Sequence, residues 1–139
     1  LGLELLFKED LMLINDGQLA EQFVGQELLA YLLKDEMNGL FTWKREEKSS
    51  SAEVDFLVAV DSCIVPIEVK AGVTGKLQSL KIFLSEKKLP LGVRISELPL
   101  SLQQNVLSLP LYLIEQLPRL VREIIALPGF RKETQSLRK

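Results

Sequence analysis

The chain reads as an α/β layer design around a mixed sheet. Three observations predict it: a long apolar stripe at helical spacing, two adjoining segments with apolar residues at every second position, and a further helix and strand after them. The expected order is helix-strand-strand-strand-helix-strand. Residues 1–16 form a lead-in whose apolar stretch, 1–14, is followed by Asn15-Asp16-Gly17, a turn or helix-entry signal. Leu19, Ala20, Phe23, Val24, Glu27, Leu28, Tyr31 and Leu32 then recur at helical spacing, with an end expected near Asn38-Gly39. A short strand over 40–45 sets Phe41 and Trp43 on one face, and Lys48-Ser49-Ser50-Ser51 reads as a polar turn. Segments 52–60 and 64–70 are the second and third strands, joined by Asp61-Ser62. After a loop at 71–75, the spacing of Leu77, Leu80, Phe83 and Leu84 predicts a helix over 76–86 that stops before Pro90, and 91–96 reads as a strand. Residues 17–96 are thus the core of a single domain spanning 1–139. In the extension 97–139, an edge strand is expected over 109–115. Pro118 is placed to open a helix with Leu120, Val121, Ile124 and Ile125 on its apolar face, and 130–139 reads as a solvated end.

With 139 residues, 47% hydrophobic and 26% charged, the chain is long enough to bury a core, and its composition is not that of a disordered segment. Its net charge of -2 and pI near 5.3 exclude a generally basic nucleic-acid coat, although a local basic patch is compatible with them. The single Cys63 excludes an intramolecular disulfide. The absence of histidine excludes histidine triads and zinc fingers. A metal site here has to be built from oxygens, which suits magnesium or manganese. No apolar run of about 18 residues and no signal-peptide pattern occurs, so a cytoplasmic location without membrane association is expected. The first residue is Leu, which suggests a piece of a longer protein.

The hairpin carries the chemistry. With Asp61 and Ser62 as a two-residue loop, Val60 pairs with Cys63 and Asp55 falls opposite Glu68. Val54, Phe56, Val58 and Val60 then share one face with Val65, Ile67 and Val69, while Asp55, Glu68 and Lys70 share the other. In this register 55/68 is a non-hydrogen-bonded pair, with Cα atoms roughly 4.5 Å apart. A slip by one residue is forbidden by burial of one face. Pro66, opposite Leu57, owes no N–H to this partner, so the next strand on the other side is expected to begin past it or to bulge there. Two opposed carboxylates require a positive neighbour, and both Lys70 and a divalent cation qualify. Asp55 and Glu68 as metal ligands with Lys70 beside them suit phosphodiester hydrolysis. The same spacing also describes a solvated sheet face on which Lys70 neutralises Glu68 or Glu53. For a third acid the first helix offers Glu21, on the flank of the apolar stripe, and Glu27, within it, where Tyr31 or a backbone amide is an alternative partner. Gln78, from the second helix, is a candidate contact to substrate or metal-bound water. Lys44, Arg45, Lys76 and Lys81 are candidate phosphate contacts. All five also read as ordinary surface.

Gly17-Gln18-Leu19-Ala20-Glu21 matches the G-x-x-x-E helix opening of Holliday-junction-resolvase-like nucleases. Glu53-Val54-Asp55-Phe56 with Ile67-Glu68-Val69-Lys70 looks like the D...ExK core of the PD-(D/E)XK nuclease superfamily. More narrowly, Glu21 to Leu28, Trp43, Glu53 to Phe56, Pro66 to Gly72, Val93 to Ser96 and Pro110 to Tyr112, within residues 15–120, resemble the C-terminal domain of a prokaryotic AAA-type ATPase family. The resemblance implies a restriction-endonuclease-like three-layer fold. It also implies Mg²⁺ or Mn²⁺ at Asp55 and Glu68, Lys70 as the catalytic lysine, Glu21 rather than Glu27 as the helix-borne acid, and DNA as substrate. No G-x-x-x-x-G-K-[ST] string occurs, so ATP is expected only in an N-terminal ATPase domain of the parent chain, which would be a partner of this one. A homodimer is compatible with duplex cleavage. The runner-up expectation is a non-catalytic DNA- or protein-binding module.

Overall fold

Ala20, Val24, Leu28 and Tyr31 recur once per helical turn and are the buried residues of α1 (Gly17–Leu33). The computed structural model describes residues 17–34, 39–45 and 52–130. α1 ends at Leu33, short of the end expected near Asn38-Gly39, while the lead-in at 1–16, the turn at 48–51 and all of the tail past Phe130 lie outside the described residues.

β1 (Leu40–Lys44), β2 (Glu53–Val60) and β3 (Cys63–Val69) form an antiparallel meander. The hairpin has the expected register, from Val60 with Cys63 to Phe56 with Ile67. Asp61, the first loop residue, takes a positive φ of 54°, which aspartate tolerates better than most residues. Pro66 faces Leu57, and β4 (Gly92–Ser96) pairs with β3 in parallel from Ile67 onward. The pairing starts past the proline because that residue has no N–H to give.

Between β3 and β4 lies α2 (Gln78–Lys87), shifted slightly from the expected 76–86. It ends where Lys88 adopts a left-handed conformation, and Pro90 follows outside it. Neighbouring β4 residues show that helices cover both faces of the sheet. Val93 and Ile95 join the apolar cluster that contains the α1 stripe, whereas a Cβ on Gly92 would lie 2.9 Å from Leu84 and 3.2 Å from Leu80, both on α2. Gly92→Ala is therefore expected to cost about 1–3 kcal/mol through overpacking. Chemical denaturation should show this loss, and Leu84→Ala in the same chain should make the glycine replacement cheaper than it is alone.

The sheet order is β1-β2-β3-β4-β6-β5. β5 (Ser101–Gln103) is the outer strand, and β6 (Val106–Pro110) runs inside it, parallel to β4. The edge strand expected over 109–115 is thus corrected: the strand lies earlier, is interior, and gives way to a 3-10 helix, Leu111–Gln116. Four of the five β6 residues are buried, as an interior strand requires, while Leu102 and Gln103 of β5 stay exposed. α3 (Leu117–Ile125) opens with Pro118 in its first turn and buries Val121 and Ile124 against the α1 side of the core. No helix among the described residues is long and apolar enough to cross a membrane.

Candidate functional site at the fork between two strands

Asp55 sits at a break in the ladder on both sides of its strand. From Phe41–Leu57 to Trp43–Val54, the pairing advances two residues on β1 and three on β2, so β2 carries an extra residue at Asp55-Phe56 opposite Thr42. The bulge separates Val54 from the stripe it was expected to share with Phe56, Val58 and Val60. Val54 pairs with Trp43, whose ring packs on Phe83 of α2 at a centroid distance of 4.7 Å. Phe56 instead reaches α1, where its ring lies 3.2 Å from the Cβ position of Gly25. Simple alternation fails here, and with it the expectation that Asp55 shares a face with Glu68 and Lys70 as a regular cross-strand partner.

On the other side, β2–β3 pairing stops at Phe56–Ile67. The Lys70 N–H is given to the Ile95 carbonyl on β4 at 2.9 Å, so the Val69 N–H faces β2. In a regular ladder it would meet the Val54 carbonyl. It donates instead to Asp55 Oδ2 at 2.7 Å, so the carboxylate occupies the seam where the strands part.

Glu68 is only 5% exposed. Its Oε1 accepts from Lys70 Nζ at 2.5 Å, and its Oε2 is buried with no hydrogen-bond partner among the described residues. An unsatisfied buried carboxylate oxygen is costly and calls for explanation. The Lys70 stem rests against Gly75, whose φ of 119° and missing Cβ both suit it: a Cβ there would lie 3.0 Å from Lys70 Cδ.

Glu21 belongs to the same electrostatic cluster. Burial raises its pKa, as do the charges of Asp55, Glu53 and Glu68, while Lys70 lowers it. Glu27 is elsewhere: it accepts a 3.3 Å hydrogen bond from the Tyr31 hydroxyl, the local alternative considered for it. Burial also raises Asp55, opposed by the Val69 N–H and Lys70. It raises Glu68 as well, opposed by the Lys70 hydrogen bond and reinforced by Asp55. Among the described residues, no three acidic or thiol side chains converge closely enough to cage a metal ion. The arrangement is a pair of strand-borne acids with Glu21 nearby, an ammonium group and one unsatisfied oxygen.

These shifts fix the sign of a pH effect. An acid whose pKa is higher in the folded chain binds protons more tightly there, so stability falls as pH rises from the ordinary carboxyl range through the raised values, and recovers as pH is lowered again. Denaturation midpoints followed from mildly acidic to neutral pH should show this decline. The double variant Asp55→Asn with Glu68→Gln should flatten it.

Other expected contacts divide in two. Lys44 pairs with Glu53 at 3.8 Å on the surface, and Arg45 pairs with Glu86 at 2.9 Å, tying β1 to α2. Lys76 and Gln78 line a cavity of about 510 Å³ together with Lys81 and Arg94. Arg94 was not among the expected residues, because a charge inside the apolar strand 91–96 gives no hint of what surrounds it. It is 8% exposed, pairs with Glu68 in the β3–β4 register, and grips the loop after Lys70 through the carbonyls of Val73 at 3.1 Å and Thr74 at 3.0 Å.

Comparison with curated proteins and with solved structures finds no match. A family profile described as a domain of unknown function, DUF4143, matches residues 16–113, from the start of α1 to the 3-10 helix, and so takes in every residue of the fork. The chain belongs to the DUF4143 family.

Proposed function

We propose that this chain is a divalent-metal-dependent nuclease-like domain of the PD-(D/E)XK type, with a restriction-endonuclease-like fold, that hydrolyses phosphodiester bonds in DNA. The observation that carries the reading is the buried Oε2 of Glu68, unpartnered among the described residues, beside Lys70 and near the charges of Asp55 and Glu21. A magnesium or manganese ion bound there would polarise the phosphodiester and lower the pKa of a coordinated water. The donor set fits such an ion: Mg²⁺ is ordinarily held by one or two carboxylates and keeps several waters, so a three-acid cage is not required. Asp55 and Glu68 are the proposed ligands, with Glu21 as accessory acid. Lys70 positions the attacking water and offsets negative charge developing on the phosphate, held in place by Glu68 and by Gly75 beneath its stem. Lys76 and Gln78, at the mouth of the neighbouring cavity, are the proposed strand contacts.

Two measurements test this. Mn²⁺ should raise the melting temperature of the wild-type chain by mass action but not that of Glu68→Gln. Cleavage of branched or linear DNA with Mn²⁺ should fall by at least about a hundredfold in Lys70→Ala. Equal inertness of wild type and Lys70→Ala on every substrate would falsify the enzymatic reading.

A second reading rests on the commitments these groups already have, Asp55 to the Val69 N–H and Lys70 to Glu68. On that reading the fork is a structural brace, and the chain is a DNA- or protein-binding module working beside an ATPase domain. Partner binding should then survive Asp55→Asn and Glu68→Gln, and Mn²⁺ should leave the melting temperature unchanged.

A further inference from the structure

A second cavity, of about 350 Å³, opens between α2 and the far half of the sheet. Arg94, Lys81, Ser101, Gln103 and Ser108 line it together with Leu77, the residue before α2, and among the described residues no acidic side chain does. It meets the first cavity at Leu77, Lys81 and Arg94.

Two features of its wall are unexplained by the fold. Arg94 is more than nine-tenths buried yet has no ion-pair partner among the described residues. Its Nε donates to Ser96 Oγ at 3.2 Å and its Nη2 to the loop carbonyls, all uncharged acceptors, and Nη1 makes no bond among the described residues. A buried cation without a counter-charge is costly, and burial lowers its pKa accordingly. Ser108 is the direct β6 partner of Arg94 and is also 8% exposed, and its Oγ is buried with no hydrogen bond among the described residues. A hydroxyl donor, a guanidinium edge and the Lys81 ammonium therefore border one acid-free cavity. The N-terminal turn of α2, whose dipole favours negative charge, starts at Leu77 in its wall.

We propose that this cavity binds a phosphate-type oxyanion, with Arg94 and Ser108 as its deep contacts and Lys81 at the rim. The anion supplies the charge that Arg94 lacks and the acceptor that the Ser108 hydroxyl lacks. A free phosphate and the terminal phosphate of a nucleic-acid strand present the same chemistry. The pocket uses neither Asp55 nor Glu68, so it stands or falls separately from the hydrolytic reading.

Inorganic phosphate titrated into the 139-residue chain, in chelator to keep metal out, should shift the amide resonances of Ser101, Gln103 and Ser108 saturably. Ser108→Ala removes an oxygen that has no partner in the empty pocket, so folding should be undisturbed, while phosphate affinity should fall about tenfold for loss of a hydrogen bond to a charged group. Lys81→Gln, on the exposed side of α2, should weaken binding several-fold and make what remains less sensitive to salt. Because Arg94 also holds the 73–74 loop, these two variants rather than an arginine replacement carry the test. A 5′-phosphorylated oligonucleotide that competes with phosphate, when its dephosphorylated twin does not, assigns the site to strand ends. Failure of both to compete assigns it to a free phosphate. Absence of saturable shifts in the wild type, or undiminished binding in both folded variants, overturns the proposal.

Discussion

Lys70→Met should destabilise the chain by about 1–3 kcal/mol at neutral pH, and the loss should shrink as the solution is made mildly acidic. Among the described residues the ammonium is the sole hydrogen-bond partner of a carboxylate whose other oxygen is already unsatisfied. Without it, Glu68 must either carry an uncompensated buried charge or take up a proton. The wild-type lysine side chain is 29% exposed and can turn to water, so the expected cost lies below that of a fully enclosed pair. The sign follows from linkage: removing Lys70 raises the folded pKa of Glu68 further, so the deficit is present above that value and is relieved below it. Urea unfolding at the two pH values reads the effect, and Lys70→Met combined with Glu68→Gln should recover most of the neutral-pH loss. A deficit independent of pH would locate the damage in the packing of the lysine stem on Gly75 instead.

Asp55→Ala is the second large effect, and its comparison with Asp55→Asn separates architecture from chemistry. Alanine leaves the Val69 N–H without its 2.7 Å acceptor at a point where the bulge prevents the ladder from continuing, at an expected cost of about 1–3 kcal/mol. Asparagine keeps a carbonyl acceptor in the same place and removes a charge that burial disfavours, so its stability should equal or exceed that of the wild type. Hydrogen exchange at the Val69 amide should accelerate in the alanine variant and stay slow in the asparagine one. Metal affinity, if the hydrolytic reading holds, should fall in both. Parallel losses of stability in the two variants would count against the seam as described.

Much of this architecture is legible in the sequence, and the parts that are not share a physical cause. The hairpin register follows from Asp61-Ser62 and from apolar alternation on β3. The start of β4 pairing follows from the missing N–H of Pro66. The bulge does not follow, because Phe56, Leu57 and Val58 are an unbroken apolar run, and no change of polarity next to Asp55 marks an extra residue. The acids of the candidate site are legible in the sequence as residues, but their geometry is not. Asp55 leaves regular alternation and bonds backbone, and its place at the fork depends on an insertion that only the β1 pairing reveals. Glu21 and Glu27 could be told apart once α1 was docked, since Tyr31 takes one and the fork's charges surround the other. In the tail, the helix opened by Pro118 is legible, whereas the edge strand expected over 109–115 is not there because an apolar run across Pro110 does not disclose where the strand stops. Arg94 was overlooked because its meaning lies in neighbours from β6 and the 73–74 loop, which sequence order keeps apart.

The loop after Lys70 works as a strap between two compartments. Arg94 fastens it at Val73 and Thr74 from the neighbouring strand, and one residue further on its glycine cradles the lysine stem. Slackening either anchorage therefore repositions the ammonium without touching a single acid, so Gly75→Ala, remote from the carboxylates in its own chemistry, is a mechanical handle on the fork.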